Sequence, residues 1–368
     1  MIRLKTILLA LLLTCGVFPV HAQPSGDDLK VFGYFQASLG YEKNLDSLVQ
    51  IKSFSLQQLN LFLQKELAQK WTIFINFELV NSFSSFRNWG AHNLEEAWVN
   101  YRRSQQFNLK LGLQVPKFNN LNEIKNRTPL LPYIIRPLAY ESSFNEIIAL
   151  DEFAPAQAFV QLYGSIPAKE LKIDYAVFVG NSPNINSDPA RGQTGVDTTN
   201  LFLVGGRFGL RTGNFKLGVS ATYDHLDFSR AALKLKYPPL GFNKVPRLRL
   251  GGDFSLNAGK WLWESEFIRV TYDDDHPELD IDKKFYYGTL GYHFTERLLA
   301  YGGYWFIGEN ALPVRDLDII APTVGAAYNF SEAIFIKTQY GPVRFEASTP
   351  ATWQERADYY YLAISVIF

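Results

Sequence analysis

Asp358-Tyr-Tyr-Tyr-Leu-Ala-Ile-Ser-Val-Ile-Phe368 is the stretch that decides the fold. Tyr360, Leu362, Ile364, Val366 and Phe368 share one parity, and Tyr359, Tyr361, Ala363, Ser365 and Ile367 share the other. A run of about ten residues with period two is long enough to cross a bilayer as a tilted strand. Taken alone, it also fits an edge strand of a secreted β-sandwich. The two readings separate on whether the rest of the chain repeats the pattern.

The pattern recurs along the whole chain. Val31, Gly33, Phe35, Ala37, Leu39 and Tyr41 alternate with Gln36 and Ser38; Leu59, Leu61 and Leu63 alternate with Gln58, Asn60 and Gln64. Trp71, Ile73, Ile75, Phe77 and Leu79 oppose Thr72, Asn76 and Glu78. Leu109, Leu111 and Leu113 oppose Lys110, Gly112 and Gln114, and Leu217 and Val219 oppose Lys216, Gly218, Ser220 and Thr222. Leu248, Leu250 and Phe254 oppose Arg249, Asp253 and Ser255, and Trp261, Trp263 and Phe267 oppose Glu264 and Glu266. Charges facing away from an apolar surface at every second residue need a wet side, which a barrel lumen supplies.

Connections alternate short and long. Short ones fall at 66–70, 103–106, 165–170, 211–214, 257–260, 295–296 and 331–333, several with Gly or Asn turn chemistry. Long ones fall at 42–52, 81–93, 116–155, 181–199, 227–245, 273–283, 307–318 and 346–355. The segments add up to an all-β, transmembrane antiparallel barrel of about sixteen strands, with short periplasmic turns and long extracellular loops. Closure is required, because an open sheet would leave unpaired backbone edges in lipid.

The amino end sets the compartment. Arg3 and Lys5, the apolar run 7–13 and Val20-His21-Ala22 form a secretory signal over residues 1–22, leaving 23–368 as one barrel domain. Thr14-Cys15-Gly16 offers a second, lipoprotein-type cleavage reading, which leaves the type of signal peptidase open. Cys15 is the single cysteine, so the exported part has no disulfide. The chain carries 36 basic and 36 acidic side chains, and loss of Arg3 and Lys5 leaves a slight acidic excess. Such a balance lacks the basic footprint of a nucleic-acid binder. Aromatics at 15% suit the girdles of a membrane barrel.

Residues 116–155 form the longest connection. They contain Phe118, Leu121, Ile124, Leu130, Leu131, Tyr133, Ile134, Ile135 and Tyr140, and are stiffened by Pro129, Pro132 and Pro137. A long loop so rich in apolar residues is functional rather than disordered in composition. It is expected to fold into the lumen as a constriction, the alternative being an outward loop packed on a neighbouring subunit. Lys117, Lys125, Arg127 and Arg136 crowd its first half, and Glu141, Glu146, Asp151 and Glu152 its second, so a transverse field across the pore is expected. Inward parity adds Lys110, Arg207, Lys216, Arg249 and Lys337, with Glu78, Glu96, Asp253, Glu264 and Glu266, as lumen-facing candidates. Mixed signs argue against strong ion selectivity and suit salt bridges across the wall. Parity also turns Leu111 to lipid and Gly112 to the lumen, so Arg at 112 is expected only to narrow the pore.

Glu95-Glu96-Ala97-Trp98-Val99-Asn100-Tyr101, followed by Leu109-Lys110-Leu111-Gly112-Leu113-Gln114-Val115-Pro116-Lys117-Phe118, resembles the phosphate-selective porin O and P family. The match departs from the family pattern where Leu113 precedes Gln114 and Lys117 follows Pro116. The resemblance implies a bacterial outer-membrane porin of sixteen strands and a homotrimer. It does not carry the family's basic residues onto this chain. The terminal Phe368 resembles the assembly signal of outer-membrane barrels, which implies recognition by the barrel-assembly machinery. Outer-membrane lipid, lipopolysaccharide and small hydrophilic solutes complete the expected partners.

No cofactor, metal or catalytic residue is assigned. Asp273 to Asp282 is acidic but lacks calcium-loop spacing, and reads as a solvated loop. Gly259-Lys260 is a hairpin turn, no Gly-x-Ser-x-Gly elbow occurs, and the histidines are scattered. The chain therefore reads as no enzyme: a porin for passive diffusion with weak preference for anions such as phosphate. The alternatives are a non-conducting structural or adhesive barrel, or a barrel-embedded hydrolase.

Overall fold

The computed structural model describes residues 29–46, 50–81, 91–124, 127–140, 157–182, 197, 199, 201–227, 244–273, 280–311, 315–348 and 353–368. The signal segment with Cys15, the acidic run 274–279, and Lys125, Glu141, Glu146, Asp151 and Glu152 lie outside the described residues.

Sixteen strands form the fold: β1 (Lys30–Asn44), β2 (Gln50–Ala68), β3 (Trp71–Asn81), β4 (Ala91–Arg102), β5 (Asn108–Gln114), β6 (Gln157–Ala168), β7 (Leu171–Gly180) and β8 (Leu203–Arg211) make the first half. The second half is β9 (Phe215–Asp227), β10 (Lys244–Ala258), β11 (Trp261–Tyr272), β12 (Ile281–His293), β13 (Leu298–Ala311), β14 (Arg315–Asn329), β15 (Ile334–Ala347) and β16 (Trp353–Ile367). Each strand pairs with its sequence neighbours, and β1 pairs antiparallel with β16, which closes the barrel. Seven short turns and the outer ends of β1 and β16 share one rim. The long connections share the other.

The outward face carries the parity read from sequence. Val177, Leu217, Val219, Leu250, Leu362 and Ile364 are all exposed, as lipid contact requires. Aromatics flank this band. Trp261 packs on Tyr292 at 4.8 Å, Tyr292 on Phe294 at 5.0 Å, and Trp71 on Tyr101 at 4.9 Å near the short-turn rim. Tyr360 packs on Tyr340 at 4.5 Å and Tyr41 at 5.8 Å towards the other rim. Two aromatic levels enclosing an apolar band are the signature of a barrel in a bilayer.

Gly112 departs from the sequence reading. Its φ is +128°, and an added Cβ would lie 2.3 Å from the Ala97 carbonyl oxygen and 2.8 Å from the Trp98 Cα. Any side chain there strains the backbone, so Arg at 112 would disturb the wall itself rather than only narrow the pore.

Lipid exposure generates a first prediction. Val219→Arg places a charge on the lipid face, at a cost of about 2–4 kcal/mol near mid-membrane. Lys216→Gln, three residues away on the inner face, should refold with the parent's yield. Detergent refolding followed by heat-modifiable migration measures both, and equal yields would contradict the assignment of faces.

Candidate functional site

The inside of the barrel is not uniformly wet. From β10 to β16 the inner wall carries Ile268, Val270, Phe285, Trp305, Ile307, Ile319 and Phe345, all buried. They form one apolar cluster with Phe118, Leu121, Tyr133, Ile134, Ile135 and Leu138 of the connection after β5. Burying each large apolar side chain contributes about 1.5–3 kcal/mol, which explains why a loop so rich in them lies against the wall. Tyr133 meets Tyr301 edge-on at 5.2 Å and Trp305 at 6.1 Å.

Polar anchors fix the segment at several points. Asn119, with φ of 52°, donates its backbone N–H to Ser220 Oγ on β9 at 2.9 Å. The Asn120 and Leu121 N–H groups donate to Glu266 Oε1 on β11 at 3.0 and 2.6 Å. Glu266 Oε2 accepts the Tyr140 hydroxyl at 2.5 Å, and Glu264 Oε2 accepts Tyr133 at 3.4 Å. Burial, then the neighbouring Glu266, holds the Tyr140 phenol well above its ordinary pKa, so it stays a donor. On β15, Gln339 Oε1 accepts the Ile134 and Ile135 N–H groups at 2.7 and 2.9 Å.

Other inward candidates serve the wall. Arg207 pairs with Asp253 at 2.6 Å across β8 and β10, and Arg249 with Asp224 at 2.9 Å. Arg247 also grips Asp224, with Nη2 at 2.6 Å and Nε at 3.0 Å. Lys283 pairs with Glu309 at 3.2 Å. Glu78 accepts from Gln58 at 2.7 Å, and Glu96 accepts the Trp98 indole N–H at 2.8 Å. Lys110 lies over the Trp98 ring at 4.6 Å. Asp224, Arg247, Lys283, Glu309 and Gln339 were missed from sequence. Asp224 is the next inward position after Thr222 on β9, so the same parity could have found it.

The polar half of the lumen is open near the short-turn rim. A cavity of about 290 Å³ lies there beside the inward segment. Its charged lining is Lys117, Arg207, Arg211 and Lys216 with Glu123 and Asp174. Lys117 stands over the Tyr163 ring at 4.2 Å and 3.9 Å from Glu123; Arg211 pairs with Asp174 at 3.0 Å. Of the other basic residues expected in the loop, Arg127 is exposed and Arg136 half-buried. Among the described residues, no group of three or more His, Asp and Glu is placed to hold a metal.

No protein-family model matches the chain, and no curated protein matches it. Solved structures do match. The anion-selective porin from Comamonas acidovorans aligns with a TM-score of 0.63 at 11% identity, covering 93% of this chain and 100% of that one. The outer membrane channel DcaP of Acinetobacter baumannii gives 0.61 at 10%, covering 94% and 99%. OmpT, an outer membrane protein of Vibrio cholerae also solved in a trimer form, gives 0.60 at 11%, covering 94% and 99%. The fold is that of bacterial outer-membrane porins. A closed barrel with this apolar, aromatic-flanked exterior belongs in the bacterial outer membrane.

One expectation is overturned. The reading of the chain as no enzyme does not stand, because OmpT is among the neighbours and at 11% identity neither it nor the porins settle catalytic status. Missing sequence motifs cannot settle it, since catalytic groups are recognised by geometry rather than order.

The charge cluster yields a second prediction. Asp224→Ala leaves the buried guanidiniums of Arg247 and Arg249 without their shared carboxylate and should cost about 3–5 kcal/mol. Urea unfolding in detergent measures this, and a change under about 0.5 kcal/mol would show that other groups neutralise the pair.

Proposed function

We propose that the barrel is a water-filled porin channel for small hydrophilic solutes, narrowed by the segment 116–140 and weakly selective for anions such as phosphate. The observation that carries this reading is the cavity beside that segment, where four basic side chains meet two acidic ones. In a narrow passage walled by protein, charges act at reduced dielectric and are screened less than on an open surface. Phe118 and Tyr133 pack against the far wall, while this cavity lies on the β5–β9 side.

Kinship with the phosphate-selective porin O and P family rests on residues 95–101 and 109–118. A homotrimer fits the same reading, as does lipopolysaccharide around the apolar band. The reading also includes cleavage of residues 1–22. A second reading, a structural or adhesive barrel that conducts nothing, draws on the same apolar filling of the lumen.

Planar-bilayer recording separates the two. The parent protein should conduct, with a reversal potential weakly on the anion side. Lys117→Gln with Lys216→Gln should lower the anion-to-cation permeability ratio about twofold or more. No conductance at all would favour the non-conducting barrel, and an unchanged ratio would remove these lysines from the solute path.

Phe368 is proposed as the assembly signal. Its backbone N–H donates to the Gly33 carbonyl at 3.0 Å, and its carbonyl accepts the Gly33 N–H at 2.8 Å, at the seam where the barrel closes. Deleting Phe368 should lower outer-membrane abundance while export continues. Normal abundance of the truncated chain in membrane fractions would refute the role.

A further inference from the structure

Lys337 and Gln339 are two residues apart on β15, so both side chains enter the lumen. Lys337 is buried, yet none of the acceptors it is hydrogen-bonded to is a carboxylate. Its ammonium donates to the carbonyls of Thr128 and Pro129, each at 3.0 Å, and of Tyr133 at 3.4 Å. Its fourth acceptor is Gln36 Oε1 on β1 at 3.0 Å. Three of its four acceptors therefore belong to the inward segment. Gln339 completes the contact: besides accepting from Ile134 and Ile135, its amide donates to the Ile135 carbonyl at 3.1 Å. Across the β1–β16 seam, Gln57 donates to the Ile134 carbonyl at 2.8 Å.

The barrel does not need this lysine to close, since closure is made by backbone pairing of β1 with β16. Burying an ammonium is unfavourable, and an apolar side chain of the same length would fill the space. What a lysine adds here is a set of N–H donors aimed at backbone carbonyls of one short stretch of the segment, which an apolar side chain cannot supply. The turn Thr128–Leu130 presents two of those carbonyls; that of Thr128 also accepts the Leu131 N–H at 3.0 Å, so the ammonium adds a second donor there, and the chain is extended at Leu131.

We propose that Lys337 and Gln339 are positioning residues that latch the inward segment to β15 and so set the width of the lumen. The latch acts through residues 128–135, not by touching solute. It rests on the reading of this segment as the narrowing element, and its test keeps the two apart.

The experiment uses the full chain with Cys15→Ser and Ile134→Cys, so that a single thiol reports on the segment. Ile134 is fully buried, and with the latch intact that thiol should react slowly with a water-soluble maleimide. Lys337→Met with Gln339→Leu should speed labelling about tenfold or more, the scale of losing charged hydrogen bonds, and raise single-channel conductance. Lys337→Arg retains the donors and should keep labelling slow, which a purely space-filling role for the lysine would not require. Heat-modifiable migration reports whether each barrel has formed. If the double variant does not fold, Gln339→Leu alone is read by the same labelling. Unchanged labelling in a folded variant overturns the latch, whatever conductance does. Faster labelling with unchanged conductance supports the latch and overturns the narrowing role.

Discussion

Everything in this structure depends on one demand: no backbone N–H or C=O may face lipid unpaired. The pairing of β1 with β16 meets it, running from Tyr34 opposite Ile367 to Asn44 opposite Ala357. Once the sheet is closed, strand parity has only two destinations, lipid or lumen. The apolar face must go out, and the charges of Arg207, Arg249, Asp253 and Glu266 must go in. Their pairings follow from confinement within one narrow space.

Closure creates a second problem. A barrel of sixteen strands is too wide for wall side chains alone to fill. The chain fills part of the space with its own residues 118–124 and 127–140. This reverses the usual arrangement of a soluble protein, since the tightest apolar packing lies inside a ring whose outer surface is also apolar. Two kinds of force hold the filling in place. The apolar cluster gives bulk attraction without direction, while Glu266, Lys337 and Gln339 give direction by bonding particular backbone groups.

The outer half of this arrangement was legible in the sequence. Alternation located many of the strands and lipid-facing positions such as Val219 and Leu362, and the sorting of short and long connections supplied the rest of the count. The inner half was legible only where the lumen is wet. On β11 the rule of one apolar and one polar face fails beyond Phe267, because Ile268 and Val270 face inward beneath the segment while Arg269 faces out. The partner that keeps those residues dry lies more than a hundred residues away, and no local pattern announces it. Lys337 was placed in the lumen by parity, but its carbonyl acceptors were not visible for the same reason. Gly112 misled because parity reports direction and says nothing of φ.

The two halves of the lumen use their charged groups differently. On the β10–β16 side, carboxylates such as Glu264 and Glu266 are occupied in holding the segment, so they contribute less to the field in the water-filled space. On the β5–β9 side, Lys117 and Lys216 line the cavity, and Arg207 and Arg211 are each neutralised by one partner. Formal charge over the whole chain is balanced, yet the lining of the cavity is not, with four basic side chains beside two acidic ones. What matters is which groups remain after the wall and the segment have taken theirs. The segment takes up acidic and basic groups alike: Glu266 accepts the backbone N–H groups of Asn120 and Leu121, and Lys337 donates to the carbonyls of Thr128 and Pro129. The same contacts that fold the segment inward therefore decide which charged groups are left to line the cavity.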